Sequence, residues 1–263
     1  MTWLHGDLTK PDTLSVSKEK YDFSLHAAPV WFAPSAIAWF QKMGVSKLVA
    51  FSSTSIVGKE KSRDAKELAM VQKLETSETA LRGQAEMAGM KWTILRPTMI
   101  YGTGLDANIS QIARTLDRVR FFPLETPALG KRAPVHADDL AKAALNALSC
   151  SESAGKTYDL SGGSIMPYRA MVDRVADTMA IKYLALGLPG FSLLASLLHP
   201  FAPRIIPSPE VFTRMKHDLV FPDESVTTDL KVTPRKFLEG GMADLGEDKE
   251  DRCRFLLPVP QDS

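Results

Sequence analysis

Cysteine is scarce: Cys150 and Cys253 are the only two in 263 residues. They match no metal-ligand spacing and form no disulfide framework, which predicts a reducing compartment, the cytoplasm, and no structural metal. Neither sign of charge dominates, since Lys plus Arg number 32 against 31 Asp plus Glu. A general attraction to nucleic acid is therefore not expected, and any charge that matters is local. The opening Met1-Thr2-Trp3-Leu4-His5-Gly6-Asp7 has neither a basic n-region nor an apolar h-region, so no secretory leader is expected. Long apolar runs are also lacking. Ala185 to Ala202 is rich in Leu and Phe but is broken by Gly187, Pro189, Gly190 and Pro200, whereas a membrane span needs about 20 predominantly apolar residues. This segment reads as a buried or pocket-lining helix, with weak membrane-surface contact as the lesser alternative.

What is present is an alternation of strand and helix signals, the pattern of crossover units on a parallel sheet. Trp3-Leu4 reads as a strand end, Pro11 to Lys20 as a short helix, and Tyr21 to His26 as a strand. Pro34 to Met43 has a helical pattern stopped by Gly44. A long helix is expected from about Ala65 to Met87, with Leu68, Val71, Leu74, Thr79 and Leu81 near its buried side. After a strand at Trp92, a helix from Asn108 to Val119 has Asn108 as its cap. Asp138 to Leu148 and Pro167 to Met179 are further helices, with a strand at Thr157 to Leu160 between them. The fold expected is α/β, a Rossmann-like parallel sheet with a small, mostly helical part on the substrate side. The expected boundaries are 1–180, 181–246 and a charged tail 247–263.

The stretch Ser46-Lys47-Leu48-Val49-Ala50-Phe51-Ser52-Ser53-Thr54-Ser55 is an apolar strand ending in consecutive hydroxyl residues. Ligands of open α/β sheets sit at such carboxyl ends, although a hydroxyl-rich turn can also simply satisfy its own backbone. Trp92-Thr93-Ile94-Leu95-Arg96-Pro97-Thr98 repeats the design. Arg132-Ala133-Pro134-Val135-His136-Ala137-Asp138-Asp139, Tyr158-Asp159-Leu160-Ser161-Gly162-Gly163 and, earlier, His26-Ala27-Ala28 complete the set. In this order and spacing, from Gly6 to Asp177, the chain resembles the extended short-chain dehydrogenase/reductase superfamily, in its epimerase/dehydratase branch.

That resemblance implies an NAD or NADP cofactor and a small-molecule substrate, a nucleotide sugar or a similar alcohol or carbonyl compound. It implies cofactor contacts at Asp7, Ala27, Ala28, Ser52, Pro97 and Thr98, and substrate contacts at Asn108, Arg132 and His136. Ser53 stands at the position of the hydroxyl that polarises the reacting oxygen, with Thr54 as its neighbour. The family's Tyr and Lys, at i and i+4 on one helix face, do not match. Counting back from Glu78 puts Met70 and Leu74 in their places, and no tyrosine lies between Tyr21 and Tyr101. Lys73 is one residue out of register, about 100° around the helix. Tyr101 and His136 are then the available acids, Tyr101 as the catalytic candidate.

The Gly-rich turn that normally opens such a domain has no counterpart before Gly6-Asp7-Leu8, so the sheet is expected to be incomplete at its amino end. Gly102-Thr103-Gly104-Leu105-Asp106-Ala107 fits G-x-G-x-x-A but follows its strand too loosely and carries a carboxylate, so it reads as a loop. The functional expectation is an NAD(P)-dependent epimerase/dehydratase-like or reductase-like protein. A non-catalytic cofactor-binding or assembly protein of the same fold is the alternative. A hydroxysteroid-type dehydrogenase, with Leu184 to Ala202 lining an apolar pocket, is the third.

Overall fold

The computed structural model of the chain describes residues 6–10, 13–15, 19–60, 62–188, 190–198 and 209–246. In chain order the main elements are β1 (Phe23–His26), α1 (Ala33–Lys42), β2 (Lys47–Phe51), α2 (Ala65–Met87), β3 (Lys91–Pro97), α3 (Ile109–Val119) and β4 (Phe121–Glu125). They continue with α4 (Ala137–Ser149), β5 (Lys156–Leu160), α5 (Tyr168–Thr178), β6 (Leu184–Leu188) and α6 (Phe191–Leu198). Shorter helices lie at Pro209–Arg214 and Ser225–Thr228. The chain divides into two compact units of interleaved segments: 1–98, 139–161 and 221–233 form the first, and 99–138, 162–220 and 234–263 the second.

The first unit is built on a parallel sheet of order β1-β2-β3-β5. Its ladders run Phe23↔Lys47 to His26↔Ala50, Lys47↔Lys91 to Phe51↔Leu95, and Thr93↔Lys156 to Pro97↔Leu160. Because β2 is buried on both faces, its sequence is a continuous apolar run rather than an alternation. Leu48, Ala50, Trp92 and Ile94 pack with Ile37 and Phe40 of α1 and Leu74, Leu81 and Ala85 of α2 into one core. At the edge strand β1, by contrast, Phe23 and Leu25 are 51% and 41% exposed.

Asp64 caps α2 by accepting the Lys66 N–H at 2.8 Å. The buried side of α2 differs from the expected one in an informative way. Leu68 and Thr79 are exposed, whereas Glu78 is 1% exposed. A buried carboxylate is tolerable only when paired, and Glu78 is: Arg96 Nε and Nη2 of β3 donate to it at 2.8 and 2.6 Å, and Arg82 Nη2 donates at 2.6 Å. This fork ties α2 to the sheet and fixes the rotation of the helix about its axis.

The second unit has its own core, in which Ile109, Ile112 and Leu116 of α3, Phe122 and Leu124 of β4, and Met171, Val172 and Val175 of α5 pack together. Asn108 stands at the cap position of α3 but makes no side-chain cap bond. Asp106 performs the task instead, its carboxylate accepting the N–H groups of Asn108 at 2.9 Å and Ser110 at 3.0 Å. A charged acceptor suits the positive end of a helix better than an amide does.

Part of the segment read as a single apolar helix is a strand. β6 pairs in parallel with β4, from Leu184↔Phe121 to Leu188↔Glu125, and α6 follows. A neighbouring strand edge outweighs the helical preference of Leu and Ala. Glu125, 1% exposed, accepts the N–H groups of Gly190 at 3.1 Å and Ser192 at 2.9 Å, and Lys216 Nζ at 2.7 Å. The strand expected at Trp3-Leu4, much of the Pro11 to Lys20 helix and the tail 247–263 lie outside the described residues.

Two outcomes follow from these buried carboxylates. Arg96→Met leaves Glu78 buried with one partner instead of two, and should cost about 3–5 kcal/mol in a denaturant titration. Burial pushes the Glu125 carboxyl up, but the Lys216 ammonium and the Gly190 and Ser192 N–H groups outweigh it and hold the group below its ordinary 4.5. A depressed folded-state value stabilises the fold above pH 4.5 and is lost as the pH falls below that. Glu125→Gln should flatten that part of the stability-versus-pH curve and lower stability at neutral pH by about 1–3 kcal/mol.

Candidate ligand groove at the carboxyl ends of the sheet

Three segments of the first unit leave the sheet at the same end. After β1 the chain runs through Ala27, Ala28 and Pro29 into a 3₁₀ turn at Val30–Phe32. Beyond β2, the Ser52 N–H still donates to the Leu95 carbonyl at 2.7 Å, and Thr54 returns to Pro97 through its N–H at 3.2 Å and its hydroxyl at 3.1 Å. The turn between them is thereby pinned. Past β3, the Thr98 N–H donates to Leu160 at 2.9 Å.

Between the first two exits and α2 lies a groove of about 370 Å³, lined by Ala27, Ala28, Pro29, Val30, Trp31, Phe51, Ser52, Ser53, Ser55, Met70 and Leu74. Its polar surface is hydroxyl. Ser53 Oγ accepts the Ser55 N–H at 3.1 Å and donates to Ser55 Oγ at 3.0 Å. Ser52 Oγ is buried and has no hydrogen-bond partner among the described residues. A buried hydroxyl without a partner costs about 1–3 kcal/mol, and a ligand oxygen or nitrogen beside it would recover that. None of the lining side chains is ionisable. Met70 and Leu74, at the positions where the family resemblance puts a phenol and an ammonium, supply a thioether and an isobutyl group, neither of which moves a proton.

The groove thus brings together Ser52, Ser53, Ala27 and Ala28. Thr54 is 6% exposed with its hydroxyl committed to Pro97. Pro97 and Thr98 sit at the neighbouring exit but do not line the groove. Asp7 is exposed and closes a local turn, accepting the Thr9 N–H at 2.8 Å and hydroxyl at 2.6 Å. Those bonds hold its carboxyl below the ordinary range.

Tyr101, Asn108, Arg132 and His136 belong to the second unit. Tyr101 is 1% exposed; its hydroxyl accepts the Leu238 N–H at 3.3 Å and donates to the Lys236 carbonyl at 3.4 Å. Its ring meets His136 edge-on at 5.0 Å. His136 Nδ1 accepts the Asp138 N–H at 3.1 Å, which leaves the ring proton on Nε2, directed at Asp244 Oδ1 3.4 Å away. Gly102, at φ +111, makes room for that ring, since a Cβ there would lie 2.3 Å from His136 Nε2. The glycine of the G-x-G-x-x-A match therefore has a packing reason.

Arg132 is 4% exposed and donates to the carbonyls of Lys131, His217 and Arg214 at 2.7, 2.8 and 2.6 Å, with its guanidinium over Tyr168. Burial brings its pKa down to about 10. It remains a cation, its N–H groups taken by backbone carbonyls, with the Asp218 carboxylate adding a favourable charge. Trp31 and Asp244 had no signal in the sequence beyond an aromatic in a strand-exit loop and an acid far from its partner. Among the described residues, no cluster of His, Cys, Asp and Glu could hold a metal, and no helix is long and apolar enough to cross a membrane.

Residues 32–161 match the NAD dependent epimerase/dehydratase family, the segment that contains β2, α2, β3 and most of the groove. No curated protein matches the sequence. Among solved structures the chain is similar to RMD from Pseudomonas aeruginosa, solved with NADPH, at 14% identity and a TM-score of 0.68, covering 92% of this chain and 86% of that one. It is also similar to the UDP-glucose 4-epimerase of Thermotoga maritima solved with UDP-glucose, at 14% identity and TM-score 0.62, with 86% and 75% covered. A third is MoeE5 in complex with UDP-glucose and NAD, at 16% identity and TM-score 0.66, with 91% and 82% covered. These likenesses establish the fold, a Rossmann-like parallel sheet with flanking helices. Over residues 32–161 the chain is similar to the NAD dependent epimerase/dehydratase family.

Proposed function

We propose that the chain binds a nicotinamide dinucleotide, NAD or NADP, in this groove without the proton relay that turnover by the family's usual route requires. The reading makes it a cofactor-binding or assembly protein of the epimerase/dehydratase fold. The observation that carries it is the wall of the groove formed by α2, where Met70 and Leu74 stand beside the Ser52-Ser53 hydroxyls. The residues present suit the group. Ala27 and Ala28 leave the floor open to a flat ring, and the unpartnered Ser52 hydroxyl offers it a hydrogen bond. When bound, the dinucleotide supplies a hydride donor or acceptor. The chain's own residues orient and cover it, Ser53 through its hydroxyl and Met70 and Leu74 by excluding water.

In the second reading a nucleotide sugar, or a similar alcohol or carbonyl compound, is turned over. Arg132 is the cation this reading offers to a diphosphate; it forms no ion pair with a carboxylate among the described residues, and a diphosphate would have to replace backbone carbonyls that its guanidinium now bonds. In that case Ser53 polarises the reacting oxygen and Pro97, Thr98 and Asp7 flank the dinucleotide, while Thr54 and Tyr101 would first have to release the Pro97 and Lys236 carbonyls that their hydroxyls bond. Asn108, Arg132 and His136 then meet the sugar nucleotide. Residues 1–180 would hold the cofactor and 181–246 the substrate, in the cytoplasm.

Titration with NADH and NADPH, followed by nicotinamide fluorescence, should show binding of one or both. Incubation with NAD or NADP and UDP-glucose should show neither reduced nicotinamide nor any new sugar nucleotide, the latter being needed because a hydride that returns to the sugar leaves no reduced cofactor. Met70→Tyr combined with Leu74→Lys restores the acid–base pair, and should raise turnover by about 10²-fold or more over the background. Turnover by the unaltered chain that falls on Ser53→Ala would establish the second reading, and absence of dinucleotide binding would overturn the first. Arg132→Ala should weaken UDP binding about tenfold under the second reading, and unchanged affinity contradicts its ligand role.

A further inference from the structure

We infer that Lys73 is an anion-recognising residue of the groove, held at the groove wall by the Trp31 ring. The inference rests on reading the groove as a ligand site. Lys73 follows Met70 by three residues on α2 and precedes Leu74, both of which line the groove. Its Nζ lies 4.1 Å from the centroid of the Trp31 ring, and Trp31 itself lines the groove. Among the described residues Lys73 forms no ion pair with a carboxylate.

A solvated lysine ordinarily samples many rotamers, and fixing it costs entropy that a surface ion pair barely recovers. Here the tryptophan holds the ammonium in place through its ring quadrupole. The platform is itself fixed. Trp31 sits in the 3₁₀ turn Val30–Phe32, beside Val30 at 1% exposure, and meets the Phe32 ring edge-on at 5.9 Å. A ring face takes none of the ammonium's N–H donors outright, so they stay available to an oxyanion.

The lining of the groove offers the unpartnered Ser52 hydroxyl and the Ser53-Ser55 pair and no acid, and the exposed Lys73 ammonium stands over Trp31, one of the lining residues. This donor set recognises a negatively charged oxygen group, a phosphate or a carboxylate. It does not suit a cation, nor an uncharged apolar ligand, which would leave both the ammonium and the Ser52 hydroxyl unmatched. Recognition through the ammonium also explains how an out-of-register lysine serves a groove whose in-register position is Leu74. At i+3 rather than i+4 from Met70, it meets the groove's lining at Trp31.

The test uses the full chain and two simple probes, inorganic phosphate and acetate, read by the difference in tryptophan emission between the unaltered protein and Trp31→Phe. Phosphate should alter the Trp31 contribution, and Lys73→Met should weaken its binding about five-fold with no change in melting temperature. Lys73→Arg should retain binding, because a guanidinium stacks on indole and donates to oxyanions. Raising salt from about 0.1 M to 1 M should weaken binding to the unaltered chain and leave Lys73→Met unaffected. Equal phosphate and acetate affinity in Lys73→Met and the unaltered chain overturns the inference.

NADH separates the sources of the anion. A loss of NADH affinity in Lys73→Met places a dinucleotide phosphate at the ammonium. Unchanged NADH affinity with weakened phosphate or acetate binding places a second ligand's anionic group there. Lys73-dependent phosphate binding in a chain that takes up no NADH or NADPH supports this inference while removing the cofactor reading, so the two fail separately.

Discussion

The Arg96–Glu78 fork decides what the groove contains. A helix that packs on a sheet through aliphatic contacts alone can rotate by a fraction of a turn with little loss. A bidentate guanidinium–carboxylate pair cannot, because both bonds must be kept and neither charge can be left buried alone. Glu78 is one turn beyond Leu74 and two beyond Met70, so fixing Glu78 fixes which side chains α2 turns toward the exits of β1 and β2. Where the family places a phenol and an ammonium, that rotation delivers Met70 and Leu74. The same rotation places Lys73 against Trp31.

The groove accordingly combines hydroxyl-bearing strand exits with a helical wall that carries no acid or base. The sheet contributes what any ligand at carboxyl strand ends uses: small residues, hydroxyls and a turn held by Thr54 on Pro97. The helix contributes cover without acid or base. Catalytic power and binding can be separated in this way because they draw on different elements. A binding protein can keep the first set of residues and dispense with the second.

Much of this was legible in the sequence. β2 and β3 were apparent as apolar runs ending in Ser52-Ser53-Thr54-Ser55 and Pro97-Thr98, because strands buried on both faces leave a contiguous signal. Residues without a local signature were harder to read. Glu78 within a Lys- and Glu-rich helix gives no hint of burial, since its partner Arg96 comes from another element. Trp31 beside Lys73 is a tertiary meeting of two unrelated segments, as is His136 with Asp244. β6 was hidden in an apolar stretch whose composition suits a helix equally well, and only its pairing with β4 decided the matter. Asp106 outcompeted Asn108 for the α3 cap by two residues, within the usual uncertainty of a helix start.

The central claim is that the groove between Ala27-Trp31, Ser52-Ser55 and Met70-Leu74 is where ligand sits. Backbone amide hydrogen exchange of the full chain, with and without saturating NADH or NADPH, tests it most directly. The account predicts slower exchange at Ala27 to Trp31 and at Ser52 to Ser55 on addition of one of the dinucleotides, with α1 unchanged. Exchange that is unchanged in both segments with either dinucleotide, or protection confined to other parts of the chain, would contradict it.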